Sequence, residues 1–281
     1  MGKKTAAANT AADVLPEVGN TSLFVRPLPR VFTVANQKGG VGKTTTAVNL
    51  AAALADLGWK VAIIDLDPQG NATTGLGVVP DTVEASMYDV LLQGASLSEA
   101  LIPTGYGNLF LAPATVDLAG AEVELVPALS RETRLKDAIA SLESPYDFVF
   151  IDCPPSLGLL TINGFAAAKE VLLPIQCEYY ALEGVGQLVQ NTELVRAHLN
   201  SELEITTVVL TMYDARTKLS SQVARDVRRY FGNKVCASVI PRSVRLSEAP
   251  SFGQPISVFD PLSRGALAYR ELAMEVSGGP A

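Results

Sequence analysis

Short apolar runs alternate with longer amphipathic stretches from Val31 onward. Runs rich in β-branched residues predict strands at 31–35, 61–65, 108–112, 148–152, 170–174, 205–211 and 235–240. Helical spacing predicts helices at 43–57, 131–142, 182–199, 220–231 and 262–276. Strands that alternate with helices predict an α/β fold in one domain, with a mostly parallel central sheet and helices on both faces.

Residues 1–30 lack this alternation. Ala, Thr, Asn, Pro and Gly dominate the segment, so we predict a disordered tail followed by a folded domain over residues 31–281. Lys3 and Lys4 precede no apolar stretch of the kind that a secretory signal needs. Because no run of about 18 apolar residues occurs, we expect no transmembrane helix.

Composition narrows the functional classes. Cys153, Cys177 and Cys236 are widely spaced without a C-x-x-C pair, which gives little support to a zinc or iron–sulfur site and favours buried, reduced thiols in a cytosolic protein. The net charge of -7 argues against a generally basic surface. However, residues 196–270 hold 11 Lys and Arg against 6 Asp and Glu, so a local basic face remains open.

A glycine-rich loop follows the first predicted strand. Residues 37–45 read Gln-Lys-Gly-Gly-Val-Gly-Lys-Thr-Thr, which matches the phosphate-binding pattern G-x-x-x-x-G-K-[ST] except that Gln37 replaces the first glycine. In such a loop Lys43 would reach the β- and γ-phosphates and the Thr44 hydroxyl would ligate Mg²⁺. The predicted ATP-binding residues here are Lys38, Gly39, Gly40, Val41, Gly42, Lys43, Thr44 and Thr45.

Lys38 has two interpretations. It is either a solvated loop lysine or a second cation beside the triphosphate, where phosphoryl transfer requires positive charge.

Acids end two predicted strands. Ligands of open α/β sheets bind beyond the carboxyl ends of strands. Asp152 closes an apolar strand and would hold Mg²⁺, as in a Walker B motif. Asp65 and Asp67 share a face at period two, and one of them could orient the attacking water. We favour Asp67, because it begins the Pro-Gln-Gly turn.

Several blocks resemble the ParA/MinD group of P-loop ATPases, which carry a deviant Walker A loop. The last two blocks are similar to the chromosomal ParA (Soj) branch, and the resemblance spans about residues 31–275. The blocks are 38–45, 65–77, 146–158, 178–184, 214–217 and 240–250.

The resemblance implies an ATPase that dimerises face to face around two ATP molecules. Lys38 would contact the partner's nucleotide, and a side chain at Gly39 would block the sandwich. Lys43 would bind phosphate, and Asp67 would be the acid needed for hydrolysis. Further implied roles are magnesium coordination by Thr44 and Asp152 and, more weakly, adenine contact by Met212 and Pro241.

The resemblance also implies partners. The ATP dimer of such proteins binds duplex DNA without sequence preference, and a ParB-type protein stimulates hydrolysis and releases it. Arg216 and Arg245 match DNA-binding arginines, whereas Arg242 is a candidate from local charge alone. We therefore expect a cytoplasmic, nucleoid-associated protein without a membrane partner.

Three alternatives remain at this point. A MinD-like membrane ATPase would need a basic amphipathic C-terminal helix, but residues 264–281 hold only Arg264 and Arg270 as bases. An iron-protein-type reductase bridges two subunits with an iron–sulfur cluster held by two cysteines from each chain. The sequences around Cys153 and Cys177 do not match the pattern expected for such ligands. A switch that binds ATP with little hydrolysis is compatible with the same motifs. His198 is the only histidine, and we expect it on a helix surface rather than in a catalytic triad.

Overall fold

A computed structural model describes residues 25–281. Most of the predicted tail therefore lies outside the described residues. The first strand begins at Arg30, one residue before the expected domain boundary. The reason is that the Arg30 side chain is buried in an ion pair with Glu170.

The described residues form one eight-stranded sheet in the order β3-β4-β2-β5-β1-β6-β7-β8. All neighbouring strands are parallel except β3 and β4. The strands are β1 (Arg30–Val34), β2 (Val61–Asp65), β3 (Ile102–Pro103), β4 (Leu109–Ala112), β5 (Phe148–Asp152), β6 (Glu170–Gln176), β7 (Glu204–Tyr213) and β8 (Val235–Pro241). This arrangement confirms the predicted mostly parallel sheet.

Helices cover both faces of the sheet. Apolar side chains of α1 and α11 form the core on one face, and those of α4 to α8 form the core on the other. The helices are α1 (Lys43–Asp56), α2 (Asn71–Gly75), α3 (Leu97–Ala100), α4 (Leu118–Glu124), α5 (Arg134–Ala140), α6 (Leu159–Ala167), α7 (Val185–His198), α8 (Lys218–Phe231), α9 (Val244–Glu248), α10 (Ile256–Phe259) and α11 (Arg264–Ser277).

The helix predicted at 131–142 is reduced to α5. Six helices were not expected from the sequence pattern, namely α2, α3, α4, α6, α9 and α10. Four of them are single turns of four or five residues, and the two longer ones are α4 and α6. α4 carries apolar residues on two opposite faces, and α6 is apolar almost all round, so neither shows the one-sided period that indicates a surface helix.

A buried ion pair joins three strands and a helix at the amino end of the sheet. The Arg30 guanidinium donates to both carboxylate oxygens of Glu170, at 2.7 and 2.8 Å, and to the Val276 carbonyl of α11 at 2.7 Å. The Thr206 hydroxyl on β7 donates to the same carboxylate at 2.7 Å. These bonds lie at the amino ends of the strands, whereas the glycine-rich loop lies at their carboxyl ends.

Replacing Arg30 with Ala should destabilise the fold strongly. Removing one partner of a buried pair leaves the other charge unpaired and costs roughly 3–5 kcal/mol. Lys169→Ala is the control, because its pair with Glu202 is exposed and should be worth at most about 1 kcal/mol. Urea unfolding measures both free energies. Equal losses in the two variants would contradict the assignment of Arg30.

Candidate functional site

The parallel register brings the predicted acids to the glycine-rich loop. Asp65 of β2 lies opposite Asp152 of β5, and Asp152 lies opposite Val34 of β1. The loop leaves β1 directly after Val34 and enters α1 at Lys43. Both acids and Lys43 therefore meet at the carboxyl edge of three neighbouring strands, where ligands of open α/β sheets bind.

Two glycines give the loop its path. Gly40 and Gly42 have φ angles of 72° and 89°, a region that side-chain-bearing residues rarely adopt. Gly42 is also the residue that caps α1. A loop of this kind, leading into a helix N-terminus, is suited to bind the phosphates of a nucleotide.

Neighbouring strands hold the loop in place. The Thr211 hydroxyl at the end of β7 donates to the Val41 carbonyl at 2.8 Å. The Asn36 side chain donates to the Pro174 carbonyl of β6 at 2.8 Å and accepts the Lys38 backbone N–H at 3.0 Å. The binding loop is thus fixed from both β6 and β7.

The two predicted adenine-contact residues lie at the same edge of the sheet. Met212 follows Thr211 and has a φ angle of 51°, which is uncommon outside glycine. Pro241 ends β8 and is paired with Tyr213 of β7. Met212 is therefore adjacent in sequence to the residue that holds the loop, whereas Pro241 lies one strand further away.

Lys43 is largely buried at the start of α1, with 8% of its surface exposed. Burial lowers the pKa of its ammonium group, and the carboxylates of Asp152 and Asp67 oppose this shift. A buried ammonium between carboxylates and a helix N-terminus is positioned to meet an incoming phosphate.

Asp152 carries the magnesium hypothesis. Its carboxylate is fully buried, and within residues 25–281 neither oxygen makes a hydrogen bond of good geometry. Burial and the neighbouring Asp65 raise its pKa well above the usual value, while Thr44 and Lys43 oppose the shift. A buried carboxylate without a partner is costly, and a cation beside Thr44 would remove that cost. The residues present therefore fit Mg²⁺.

The described residues hold no cluster of three or more His, Cys, Asp or Glu side chains that could bind a metal.

Asp65 and Asp67 have different surroundings. Asp65 accepts the Thr73 backbone N–H at 2.8 Å, the Thr73 hydroxyl at 2.7 Å and the Asp67 N–H at 3.1 Å. Its complete burial raises its pKa to about 6. Asp67 accepts the Gln69 N–H through one oxygen only, at 3.0 Å. Asp65 thus holds the turn, which leaves Asp67 as the better candidate to bind water.

Thr73 was missed by the sequence reasoning. Its hydroxyl also accepts the Ala114 N–H at 3.0 Å, so it joins Asp65 of β2 to the segment that follows β4. The only signal for it in the sequence is its position in a short helix that follows the Asp-x-Asp pair.

Lys38 and Gly39 lie on the open side of the loop. Gly39 is exposed and Lys38 is half-buried. A Cβ atom built on Gly39 would meet no atom of residues 25–281 within 4 Å, and its φ angle is not in the left-handed region. Nothing in the described part of the chain therefore requires glycine at this position.

The three candidate DNA-binding arginines lie outside the loop, in the segments that follow β7 and β8. Arg216 is on the turn after β7, Arg242 follows β8 directly, and Arg245 is in the short helix α9. Each is paired with an acid. Arg216 bonds to both oxygens of Asp214, at 2.9 and 2.8 Å, and holds the pKa of that carboxyl at about 2. Arg242 lies 3.5 Å from Glu178. Arg245 bonds to Asp260 at 2.8 Å and to Glu248 at 2.9 Å.

The burial of the cysteines and the character of the helices concern the iron-protein and membrane alternatives. All three cysteines are buried, and burial raises the pKa of Cys153 to about 12 and that of Cys177 to about 11, as expected for unreactive thiols. Among the described residues, no helix combines the length and apolar character needed to cross a membrane. His198 is exposed at the end of α7.

Comparison with known proteins identifies similar chains. A family model described as an AAA domain matches residues 29–205. The sporulation initiation inhibitor protein Soj of Bacillus subtilis is 55% identical over 248 residues, which is 88% of this chain and 98% of that protein. The chromosome partitioning protein ParA of Myxococcus xanthus is 50% identical, over 88% of this chain and 87% of that protein.

Two solved structures with bound nucleotide and magnesium are also similar to this chain. A Mycobacterium smegmatis protein named cobyrinic acid a,c-diamide synthase, with bound ADP and magnesium, is 43% identical, with a TM-score of 0.77 over 88% of this chain and 93% of that one. The septum site-determining protein MinD of Pyrococcus horikoshii, complexed with Mg-ADP, is 29% identical, with a TM-score of 0.72 over 89% and 96% of the two chains.

Replacing Lys43 with Ala should weaken ATP binding by roughly 30-fold or more. Loss of one member of a buried charged contact costs about 2–5 kcal/mol, and each 1.4 kcal/mol is about a factor of ten. Lys38→Ala is the matched control in the same loop and should retain ATP binding by the single chain. Titration with a fluorescent ATP analogue at low protein concentration measures both. Equal weakening in the two variants would contradict these assignments.

Proposed function

This chain belongs to the ParA/Soj family of chromosome-partitioning ATPases, and from that premise we propose that it partitions DNA as an ATP-controlled dimer. It is an ATPase whose cofactors are ATP and Mg²⁺. The proposed dimer sandwiches two ATP molecules, binds duplex DNA without sequence preference, and is released when a ParB-type protein stimulates hydrolysis.

The open side of the loop is the observation that carries this proposal. Gly39 is exposed, and a Cβ atom there would meet no neighbouring atom of residues 25–281, so these residues give no reason for its lack of a side chain. A second chain packed against the loop supplies one. In that sandwich Lys38 adds positive charge to the partner's triphosphate, which stabilises the charge of the transferring phosphoryl group.

The paired arginines support a switch in DNA affinity. Exposed ion pairs are worth at most about 1 kcal/mol, so DNA phosphates can replace the acids beside Arg216 and Arg245. However, each arginine–phosphate contact is then weak, and a single chain offers few such contacts. A dimer places two sets on one duplex and raises the effective concentration of the second set. ATP thereby controls DNA binding through dimerisation, and the protein is cytoplasmic and nucleoid-associated.

We propose that Asp67 acts in hydrolysis and not in ATP binding. Asp67 is at the edge of the acid group, with one oxygen uncommitted to the backbone, so it can orient the attacking water. Lys43 and the loop amides neutralise the phosphates, and Thr44 with Asp152 would hold the Mg²⁺ that bridges them.

The membrane alternative is disfavoured by the packing of α11. Tyr269, Leu272 and Val276 are buried on that helix, and they form part of the core beneath α1. The apolar face of α11 is therefore already occupied by the sheet, whereas a membrane anchor would need it exposed to lipid.

Asp67→Ala should trap the protein as an ATP-bound dimer on DNA. The variant loses the proposed water-orienting carboxylate but keeps Lys43, Thr44 and Asp152, so ATP binding should persist while turnover falls by at least about 100-fold, the lower range for positioned general-base effects. Retention on DNA-coated beads and phosphate release measure the two properties. If the variant fails to dimerise with ATP, Asp67 has a different role.

Arg245→Ala should weaken DNA binding at every sequence tested and leave ATP-dependent dimerisation intact. Each lost phosphate contact makes the slope of log K against log salt shallower by about 0.9. A dimer loses two such contacts, one from each chain, so its slope should become shallower by about 2. Arg196→Ala is the control, because Arg196 is also exposed and ion-paired but lies on α7. An unchanged slope, or loss of the dimer, would contradict the role of Arg245.

A further inference from the structure

The segment around α4 has an unusual second apolar face. Helical turns extend α4 in both directions, through bonds from Ala119 N–H to the Val116 carbonyl at 3.1 Å and from Val126 N–H to the Val123 carbonyl at 3.2 Å. One face of this segment is fully buried in the core. Its core residues are Leu118, Ala121 and Leu125.

The opposite face is apolar and exposed. Val116, Val123 and Val126 are 77%, 74% and 53% exposed, and Ala119 between them is also exposed. Their spacing of i, i+3, i+7 and i+10 places them in one stripe, which is the pattern that a helix uses to pack against another helix. We call these residues, Val116, Ala119, Val123 and Val126, the outer stripe.

The exposed charges along the outer stripe are mostly acidic. Asp117 and Glu124 are exposed beside it, and Glu124 accepts the Tyr88 hydroxyl at 3.0 Å. Arg131 donates to the Val126 carbonyl at the end of the stripe, but its charge is paired with Glu132 of the same chain at 2.8 Å. A second copy of this chain would bring the same acids against the stripe, and like charges across an interface are unfavourable. A helix with basic residues beside an apolar stripe complements both features.

Glu122 connects α4 to the magnesium side of the nucleotide site. Its carboxylate accepts the N–H groups of Leu159 at 2.8 Å and Leu160 at 3.3 Å, in the first turn of α6. α6 begins at the end of the loop 153–158, which follows Asp152 directly. A Cβ atom on Gly158 would collide with the Glu122 carboxylate, so glycine there permits the contact. A shift of α4 would therefore move the loop beside Asp152.

We propose that the outer stripe is the docking surface for a basic amphipathic helix of a partner protein, and that Glu122 transmits docking to the loop 153–158. The docking step stands on the surface alone. The transmission step rests on the proposed function, because it requires hydrolysis that a partner stimulates.

A fluorophore on the stripe tests docking. Since the native cysteines are buried, an environment-sensitive dye will label Val123→Cys selectively. Leu194→Cys on α7, 58% exposed, is the control. The probes are two synthetic amphipathic helices of Leu and Lys or of Leu and Glu. We expect an emission shift only at Val123→Cys and only with the Leu/Lys helix.

Three results would overturn the docking proposal. They are the absence of a shift with the Leu/Lys helix, equal shifts at both labelled sites, and a shift with ATP alone, which would assign the stripe to the dimer. Residues 1–24 are present in all samples, so binding by the chain's own tail would also show as an absent response.

Substitution of Glu122 tests the transmission step. In Glu122→Ala the dye at Val123→Cys should still respond, and basal turnover should be unchanged. Stimulation by a ParB-type protein should fall about tenfold, within the usual range of coupling between sites. Glu122→Gln should retain most of the stimulation, since its amide oxygen still accepts N–H groups.

An equal loss of basal turnover would overturn the role of Glu122. Absence of stimulation in the wild type would instead refute the proposed function and leave the docking result intact.

Discussion

The buried carboxylate of Asp152 and the positive charge that it requires organise the nucleotide site. Parallel pairing of β2, β5 and β1 forces Asp152 to lie beside Asp65 and the start of the phosphate loop. Lys43 supplies one compensating charge, but Asp152 still has no well-formed hydrogen bond within residues 25–281. A buried carboxylate that lacks hydrogen bonds is tolerated where a bound ligand supplies the missing contacts. Mg²⁺ bound with ATP is the ligand that this arrangement accommodates, so nucleotide binding and local stability are linked.

The phosphate loop of the same site has one side packed against the sheet and one side open. Thr211 and Asn36 hold the loop on the side that faces the sheet. Gly39 and Lys38 lie on its open side, where no contact among residues 25–281 requires glycine at position 39. Rigid binding groups on one side and an open surface on the other are suited to a site shared between two chains. Under that arrangement the arginines that follow β7 and β8 would respond to ATP indirectly, because dimerisation would double the number of their contacts on one duplex.

The sequence predicted the sheet, the loop and the acids because strands and glycine loops leave local signals. The apolar runs ending in Asp65 and Asp152 were visible as buried strands, and their adjacency follows from parallel topology. Other features depend on tertiary contacts. Thr73 bonds Asp65 from a neighbouring short helix, Glu122 caps a helix that the pattern did not indicate, and Arg30 is buried only because Glu170 faces it. None of these pairings has a sequence period from which it could be inferred.

Particle mass in solution tests the shared site most directly. Wild-type protein and Gly39→Val should be compared by light scattering with ADP and with a non-hydrolysable ATP analogue, each with Mg²⁺. We expect the wild type to double its mass with the ATP analogue only, and Gly39→Val to stay monomeric while binding the analogue with unchanged affinity. A wild-type mass that is the same with both nucleotides, or a Gly39→Val variant that dimerises like the wild type, would contradict the account.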